Sequence, residues 1–282
     1  MNNDLLKSHA KSFYWASFFL SKETYSKCSA LYNFCRILDD IADSSEKLEI
    51  RKKNFLEFKD YFINKNFNNS IIKSMWKLIN DENISHKVVL DLFDGVETDL
   101  EEKVKIKSKK DLLVYSYRVA GSVGLMMSKI LKVNNKESLK GAIDLGIAMQ
   151  LTNIARDVIE DKNRNREYIE YNFSSIKDVI HNAELFYEKS FIAIVSIPIK
   201  SRFSVIVARR VYKKIGEYIL KQKNIENYNK AGRIYVPVSA KIIATILSVV
   251  DFLKLLFIKE INYYNNENHS ILNQEINLNE RI

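Results

Sequence analysis

The sequence predicts an all-α fold, and three observations carry that prediction. The chain of 282 residues holds 7 Gly and 2 Pro, where average usage would give roughly 20 and 14. β-Sandwiches and barrels need many of both at their turns, and dinucleotide-binding domains need a glycine-rich phosphate cradle that is absent here. Apolar residues recur with the helical period along almost the whole chain. No internal repeat and no low-complexity linker interrupts them, so the helices belong to one domain.

In chain order, the periodicity predicts helices over 4–20, 23–44, 47–64, 70–80, 84–103, 109–132, 136–161, 174–196, 200–223 and 239–262. The first carries Lys7 and Lys11 but lacks the apolar run of a secretion signal. The second contains both cysteines, Cys28 and Cys35, whose spacing fits neither a zinc knuckle nor a redox pair. They read as core thiols of a reducing cytosol. The last contains the longest apolar stretch, Ile242–Ile258, which Asp251 and Lys254 interrupt. A spanning helix needs about 20 mostly apolar residues, so this one reads as a core or surface-seeking amphipathic helix. Segments 162–173 and 231–237 and the Asn-rich tail are expected to be least regular. The domain is therefore assigned to 1–262 and the tail to 263–282.

The formal charge is +9 and the pI about 9.2. A Lys-rich solvated surface accounts for such an excess, as does an anionic substrate or an anionic membrane surface. Nucleic acid is not expected, because no basic stripe is interleaved with aromatics in a recognition module. The expected location is cytoplasmic, with peripheral contact at the inner membrane face. Oligomeric state is not readable from the sequence.

Two of the predicted helices carry carboxylates on an otherwise apolar background. In the first, Ala30-Leu-Tyr-Asn-Phe-Cys-Arg-Ile-Leu-Asp-Asp-Ile-Ala-Asp43, residues Asp39 and Asp43 are four apart and project side by side. Arg36 and Tyr32 precede Asp40 by one and two turns on a neighbouring stripe. In the second, Gln150, Asn153, Asp157 and Asp161 form a polar stripe, with Arg156 adjoining. Acidic residues at a helix C-terminus oppose the macrodipole, so something cationic is needed there. One Asp-x-x-x-Asp is a common surface pattern. Two that face one cavity would hold hard divalent cations, and Mg²⁺ is typically bound by one or two carboxylates plus phosphate oxygens. Zinc is disfavoured, since His9, His86, His181 and His269 are scattered without ligand spacing.

These motifs, Cys35-Arg-Ile-Leu-Asp-Asp-Ile-Ala-Asp43 and Gln150-Leu-Thr-Asn-Ile-Ala-Arg-Asp-Val-Ile-Glu-Asp161, resemble the signatures of the squalene/phytoene synthases, and most closely those of the bacterial phytoene-forming branch. The resemblance extends to Lys11-Ser-Phe-Tyr14, to Tyr115-Ser-Tyr-Arg-Val-Ala-Gly-Ser-Val-Gly-Leu-Met-Met127, to Ala208-Arg-Arg-Val-Tyr-Lys-Lys-Ile-Gly216 and to Gly232-Arg-Ile-Tyr-Val-Pro-Val-Ser-Ala-Lys241. It departs after the second aspartate motif. There the family has G-R-x-Y-L-P and this chain reads Asn165-Arg-Glu-Tyr-Ile-Glu170, keeping Arg166 and Tyr168 in a loop of different expected shape.

The resemblance implies a single helical isoprenoid-synthase bundle with a central cavity. It implies head-to-head (1'-1) condensation of two allylic prenyl diphosphates through a cyclopropylcarbinyl diphosphate. It implies Mg²⁺, with Mn²⁺ an alternative, held by Asp39, Asp43, Asn153, Asp157 and Asp161, and no nucleotide for phytoene formation. Substrate binding falls to Ser12, Phe13, Tyr32, Arg36, Gln150, Asn153, Arg156, Tyr212, Arg233 and Lys241, with Phe13 on the prenyl side. The prenyl cavity falls to Val119, Gly121, Val123, Gly124, Met126 and Met149, with Leu125 beside them, and cation stabilisation or proton removal to Tyr115. Gly121 and Gly124 have a second reading, as close contacts between helices. Geranylgeranyl diphosphate is the first expectation for substrate, farnesyl diphosphate the alternative, and a non-catalytic scaffold a third.

Overall fold

The computed structural model describes residues 10–282. The chain runs through α1 (Lys11–Ser17), α2 (Lys22–Asp43), α3 (Leu48–Ile63), α4 (Ser70–Glu82), α5 (His86–Thr98), β1 (Val104–Lys105), α6 (Lys109–Ser116), a π-helical turn (Tyr117–Gly121) and α7 (Ser122–Ile130). It continues through α8 (Lys136–Asn163), β2 (Arg166–Glu167), α9 (Phe173–Ser190), a 3₁₀ turn (Ile192–Ser196), α10 (Ile199–Leu220), α11 (Ile225–Ala231), α12 (Val238–Leu256), α13 (Asn268–Leu272) and a 3₁₀ turn (Leu278–Glu280). The bundle is all-α apart from β1 and β2, which pair in parallel with Val104 opposite Arg166.

Polar caps, rather than Gly and Pro, punctuate the helices. The side chains of Ser21, Asn69, Ser108, Asn135, Asn172 and Asn224 each accept from a backbone N–H in the first turn that follows. Left-handed backbone is taken by Lys65, Asn83, Lys132, Asn165 and Lys223, with Gly232 as the glycine among the described residues that takes it. Asn tolerates that conformation best after Gly, which is how so few glycines suffice.

The long α8 is the axis. Leu139, Ile143, Ile147, Ala148, Leu151, Ile154 and Ala155 are buried around most of its circumference, because α7, α9 and α10 pack on it from different sides. A second layer of the same core gathers Phe34, Phe58, Phe62 and Phe93, with ring centroids between 5.4 and 6.3 Å apart.

Several elements depart from the sequence expectation. Residues 4–9 of the first predicted helix lie outside the described residues; the rest forms α1. The predicted helix over 109–132 shifts to π register at Tyr117–Gly121, a change that recurs at functional sites. The helix over 136–161 breaks at Asp157 (φ −106°, ψ 15°). The Tyr228 hydroxyl, on the unpredicted α11, caps the carbonyls freed there, 3.0 Å from Ala155 O and 2.7 Å from Arg156 O.

The tail has little regular structure beyond 268–272 and 278–280, as expected, yet it is anchored on the bundle. Buried Asp144 accepts from Tyr264 Oη at 2.7 Å and Asn266 Nδ2 at 2.6 Å and lies 2.8 Å from His269 Nε2. Arg281 is bidentate on Asp91 at 3.0 Å, and Asp91 also accepts from Tyr117 of the π turn at 2.9 Å. Short-range periodicity gave no sign of the tail's partners on Asp144 and Asp91, because they lie 120 or more residues away.

Candidate active site

Both aspartate helices line one cavity of about 490 Å³. α2 supplies Arg36, Asp39, Asp40 and Asp43, and α8 supplies Gln150, Asn153, Arg156, Asp157, Glu160 and Asp161. Tyr115 and Val119, from α6 and the π turn, close one wall, and Arg233 reaches in from the segment before α12.

Within each Asp-x-x-x-Asp pair, arginines hold one carboxylate and leave the other without an ion pair among the described residues. Asp43 takes Arg164 at 2.9 Å and Arg166 at 2.7 Å. Asp157 takes the adjacent Arg156 through two bonds of 2.8 and 2.5 Å, and Arg233 at 3.3 Å. Arg233 also pairs with Glu160, and Arg36 pairs with Asp40, at 2.6 Å, rather than with Asp39.

Asp39 and Asp161 are the two left over. Burial and then the neighbouring Asp43 push Asp39 up to about 7, while burial and then Asp157 push Asp161 up to about 8. Cavity water reaches Asp39, which is the more accessible of the two, so its solvation loss is partial.

These donors fit a hard cation. Carboxylates are crowded against one another, and the buried Oδ1 of Asn153 beside them has no hydrogen-bond partner. With the arginines in place, no group of three or more His, Cys, Asp or Glu side chains converges to ligating distance among the described residues. A divalent cation bound here would compete with the arginines for Asp43 and Asp157.

The remaining residues expected at the site are distributed as follows. Tyr212 is buried beside Arg156, Asp157 and Asn153, with Phe13 against its ring at 4.8 Å. Tyr32 faces Arg36, Tyr212 and Asp39, and burial pushes its phenol up to about 12. Ser12 is half-buried on α1. Lys241 is buried on α12, where burial and then the nearby Lys11 hold its ammonium below the usual range.

The residues expected to line the prenyl cavity are placed as follows. A Cβ on Gly124 would lie 2.4 Å from Ala142 O, and one on Gly121 would lie 3.2 Å from the Ile143 side chain, so both glycines face α8 and let the helices touch backbone to backbone. Met126 is fully buried in the core. Leu125 is buried there too, and Val123 and Met149 pack half-buried against it. None of these residues lines the polar cavity.

Tyr115 is tied to residues that the sequence did not single out together. Its hydroxyl donates to Asp99 at 3.0 Å and lies 2.9 Å from the Tyr168 hydroxyl, which donates to the same carboxylate. The two rings stack at 4.7 Å. Burial and then Asp99 raise both phenols well above their usual range, so neither is a ready proton acceptor. Asp99 lies in a loop with no motif around it. Arg166 and Tyr168 were visible only as remnants of the G-R-x-Y run. Asn165, in the place of that run's glycine, has φ 60°, a conformation glycine adopts freely and asparagine tolerates.

The comparisons with known proteins agree with this geometry. The family model described as squalene/phytoene synthase matches residues 6–169, more than half of the chain. A 15-cis-phytoene synthase of Pantoea ananas is 26% identical over 257 residues, covering 77% of this chain and 83% of the relative. A phytoene synthase of Cereibacter sphaeroides is 27% identical over 249 residues, covering 77% and 70%. The solved structure of a dehydrosqualene synthase superposes with a TM-score of 0.71 at 26% identity, covering 89% of this chain and 94% of that one. A cavity built from two opposed aspartate helices, carried on this bundle and matched by that family model, leads to one assignment: the chain belongs to the squalene/phytoene synthase family and is a prenyltransferase.

Proposed function

We propose that the protein condenses two molecules of geranylgeranyl diphosphate head to head to give phytoene, two diphosphates and two protons. The observation that carries this reading is the convergence of both aspartate pairs and the arginines Arg36, Arg156, Arg164, Arg166 and Arg233 on one cavity. The substrate follows from the relatives named phytoene synthase.

Asp39, Asp43, Asn153, Asp157 and Asp161 would hold Mg²⁺, which when bound supplies a Lewis acid for the departing diphosphate. Arg36, Arg156, Arg164 and Arg233, which line the same cavity, would offer planar guanidinium groups for paired charge-assisted bonds to the diphosphate oxygens. Departure of the first diphosphate leaves an allylic cation. The double bond of the second substrate attacks it, a proton is lost and a cyclopropylcarbinyl diphosphate forms. Loss of its diphosphate, rearrangement and loss of a second proton give the hydrocarbon. The stacked rings of Tyr115 and Tyr168 present a π surface at the cavity wall, which favours cationic character nearby. Their hydroxyls, locked on Asp99, keep the rings in that orientation.

A second reading keeps the chemistry and changes the chain length. The match to the dehydrosqualene synthase structure over 94% of its length favours farnesyl diphosphate. Purified protein incubated with Mg²⁺ and either diphosphate, with and without NADPH, decides by the mass of the product. Phytoene from geranylgeranyl diphosphate supports the first reading. A C30 product from farnesyl diphosphate alone replaces it with the second, and no product from either refutes both.

A further inference from the structure

We propose that the outward face of α12 docks on the surface of an anionic lipid bilayer. α12 is inside out. The stripe it turns toward α10 consists of Lys241, Ala244, Ser248, Asp251 and Leu255, and Asp251 is held there by Arg210 at 2.5 Å. The opposite face carries Ile242, Ile243, Ile246, Val249, Val250 and Leu253, all exposed. Phe257, 88% exposed, stands just past its end. A contiguous exposed apolar face of this kind marks an interaction surface.

The face extends onto α1. Trp15 Nε1 donates to Thr245 Oγ1 at 3.0 Å. Phe19 meets Phe203 edge-on at 4.9 Å, and Phe203 meets Phe252 at 5.9 Å. The end of α1 leaves Phe18 64% exposed beside them.

Charge selects the occupant. Across residues 11–23 and 238–260 the exposed charged residues are Lys11, Lys22, Lys254 and Lys259 against Glu23, which pairs with Lys27, and Glu260, which accepts from Asn135, while Asp251 is buried against Arg210. Aromatic and apolar residues rimmed by lysine match a bilayer with anionic headgroups. A second copy is a poorer match, because a two-fold interface sets this face against itself and brings lysine to lysine. No helix among the described residues is long and apolar enough to cross a membrane, so α12 lies in the plane of the interface. It starts shortly after Arg233, which reaches Asp157, so the lipid-facing surface begins beside the carboxylate cavity.

The test uses the full chain and no substrate, so its outcome is independent of the proposed reaction. Flotation with vesicles of phosphatidylcholine alone, or of phosphatidylcholine and phosphatidylglycerol, measures the bound fraction; sedimentation measures oligomeric state in the same buffer. The wild-type protein is expected to float with the anionic vesicles, and less so at high salt. Ile246→Glu with Val250→Glu should lower that fraction at least about tenfold. Lys254→Glu with Lys259→Glu should lower binding to anionic vesicles while leaving the neutral ones unaffected. All four side chains are exposed, so circular dichroism should be unchanged. Equal binding by the wild type and the Ile246→Glu/Val250→Glu variant overturns the proposal. A dimer that this variant dissociates, without vesicle binding by either form, overturns it in favour of a second copy.

Discussion

Arg166 Nη1 lies 2.7 Å from Asp43 Oδ1, so the strand that follows the second aspartate helix closes on the end of the first. The same guanidinium donates through Nη2 to the Ala42 carbonyl at 3.2 Å and the Asp99 carbonyl at 3.1 Å. One side chain, 6% exposed, thus ties three segments together at the cavity rim. Arg166→Ala is expected to cost about 3 kcal/mol, as breaking an enclosed ion pair does. Arg166→Lys should recover less than half, since an ammonium cannot span three acceptors. Denaturant midpoints at constant slope measure both, and an unchanged midpoint for the alanine variant would remove the tie.

Asp39 and Asp161 should contribute stability to the metal-free protein that falls with rising pH. Both are raised from 3.8, to about 7 and about 8. The folded state then binds more protons at these two groups than the unfolded one between those limits, so their contribution is fully present below about pH 4 and is lost as pH rises through 7 and 8. Asp161→Asn should gain on the wild type across that window, and Asp39→Asn should gain less because water reaches Asp39. Mg²⁺ with inorganic pyrophosphate should raise the melting temperature most at the alkaline end. A wild-type-minus-variant difference that is flat with pH would contradict the assignment.

Asp39→Ala and Asp157→Ala should each reduce turnover at least about 10²–10³-fold, the scale for removing one electrostatic contact to a developing charge. They should differ in stability. Asp39 has no ion pair to lose, whereas Asp157 anchors both Arg156 and Arg233. The Asp157 variant is therefore expected to melt lower than the Asp39 variant. Equal melting temperatures would show that those arginines find other partners.

The fold class was legible because helix periodicity is local, and the aspartate pairs because their spacing is a property of one helix. What lay beyond reach depends on tertiary partners. Nothing near Asp99 marks it as the acceptor for two tyrosines, one of them 69 residues away. Periodicity shows α12 as apolar with a few polar interruptions, and only the packing shows that those polar residues face inward. Gly121 and Gly124 were recognisable as special, but only their neighbours show the close contact with the long central helix.

The loop after α8 tests how Asn165 replaces glycine. Asn165→Gly should leave stability within about 1 kcal/mol. Asn165→Val should lose about 1–2 kcal/mol, because a branched side chain resists the left-handed backbone. Thermal melts measure both, and a neutral valine would show that the loop adopts another conformation in solution.

Helix contact by glycine is tested at Gly124 and at Gly146, where a Cβ would lie 2.2 Å from Ala120 O. Neither contact involves a flexible side chain that can move away. Gly124→Ala and Gly146→Ala should each lose about 1–3 kcal/mol, the cost of overpacking. Gly216→Ala, whose nearest neighbour is an Ile180 methyl at 3.2 Å, should lose less. The order of the three melting temperatures checks this.

The bond from Trp15 to Thr245 joins residues 230 positions apart. At a synthesis rate of about 5–20 residues per second, α1 leaves the ribosome roughly 10–50 s before α12 exists to receive it. Throughout that interval Phe13, Trp15, Phe18 and Phe19 have no completed surface to pack on. Closure of this corner is therefore a late event in the life of each molecule, and the nascent chain depends on whatever shields those aromatic rings in the meantime.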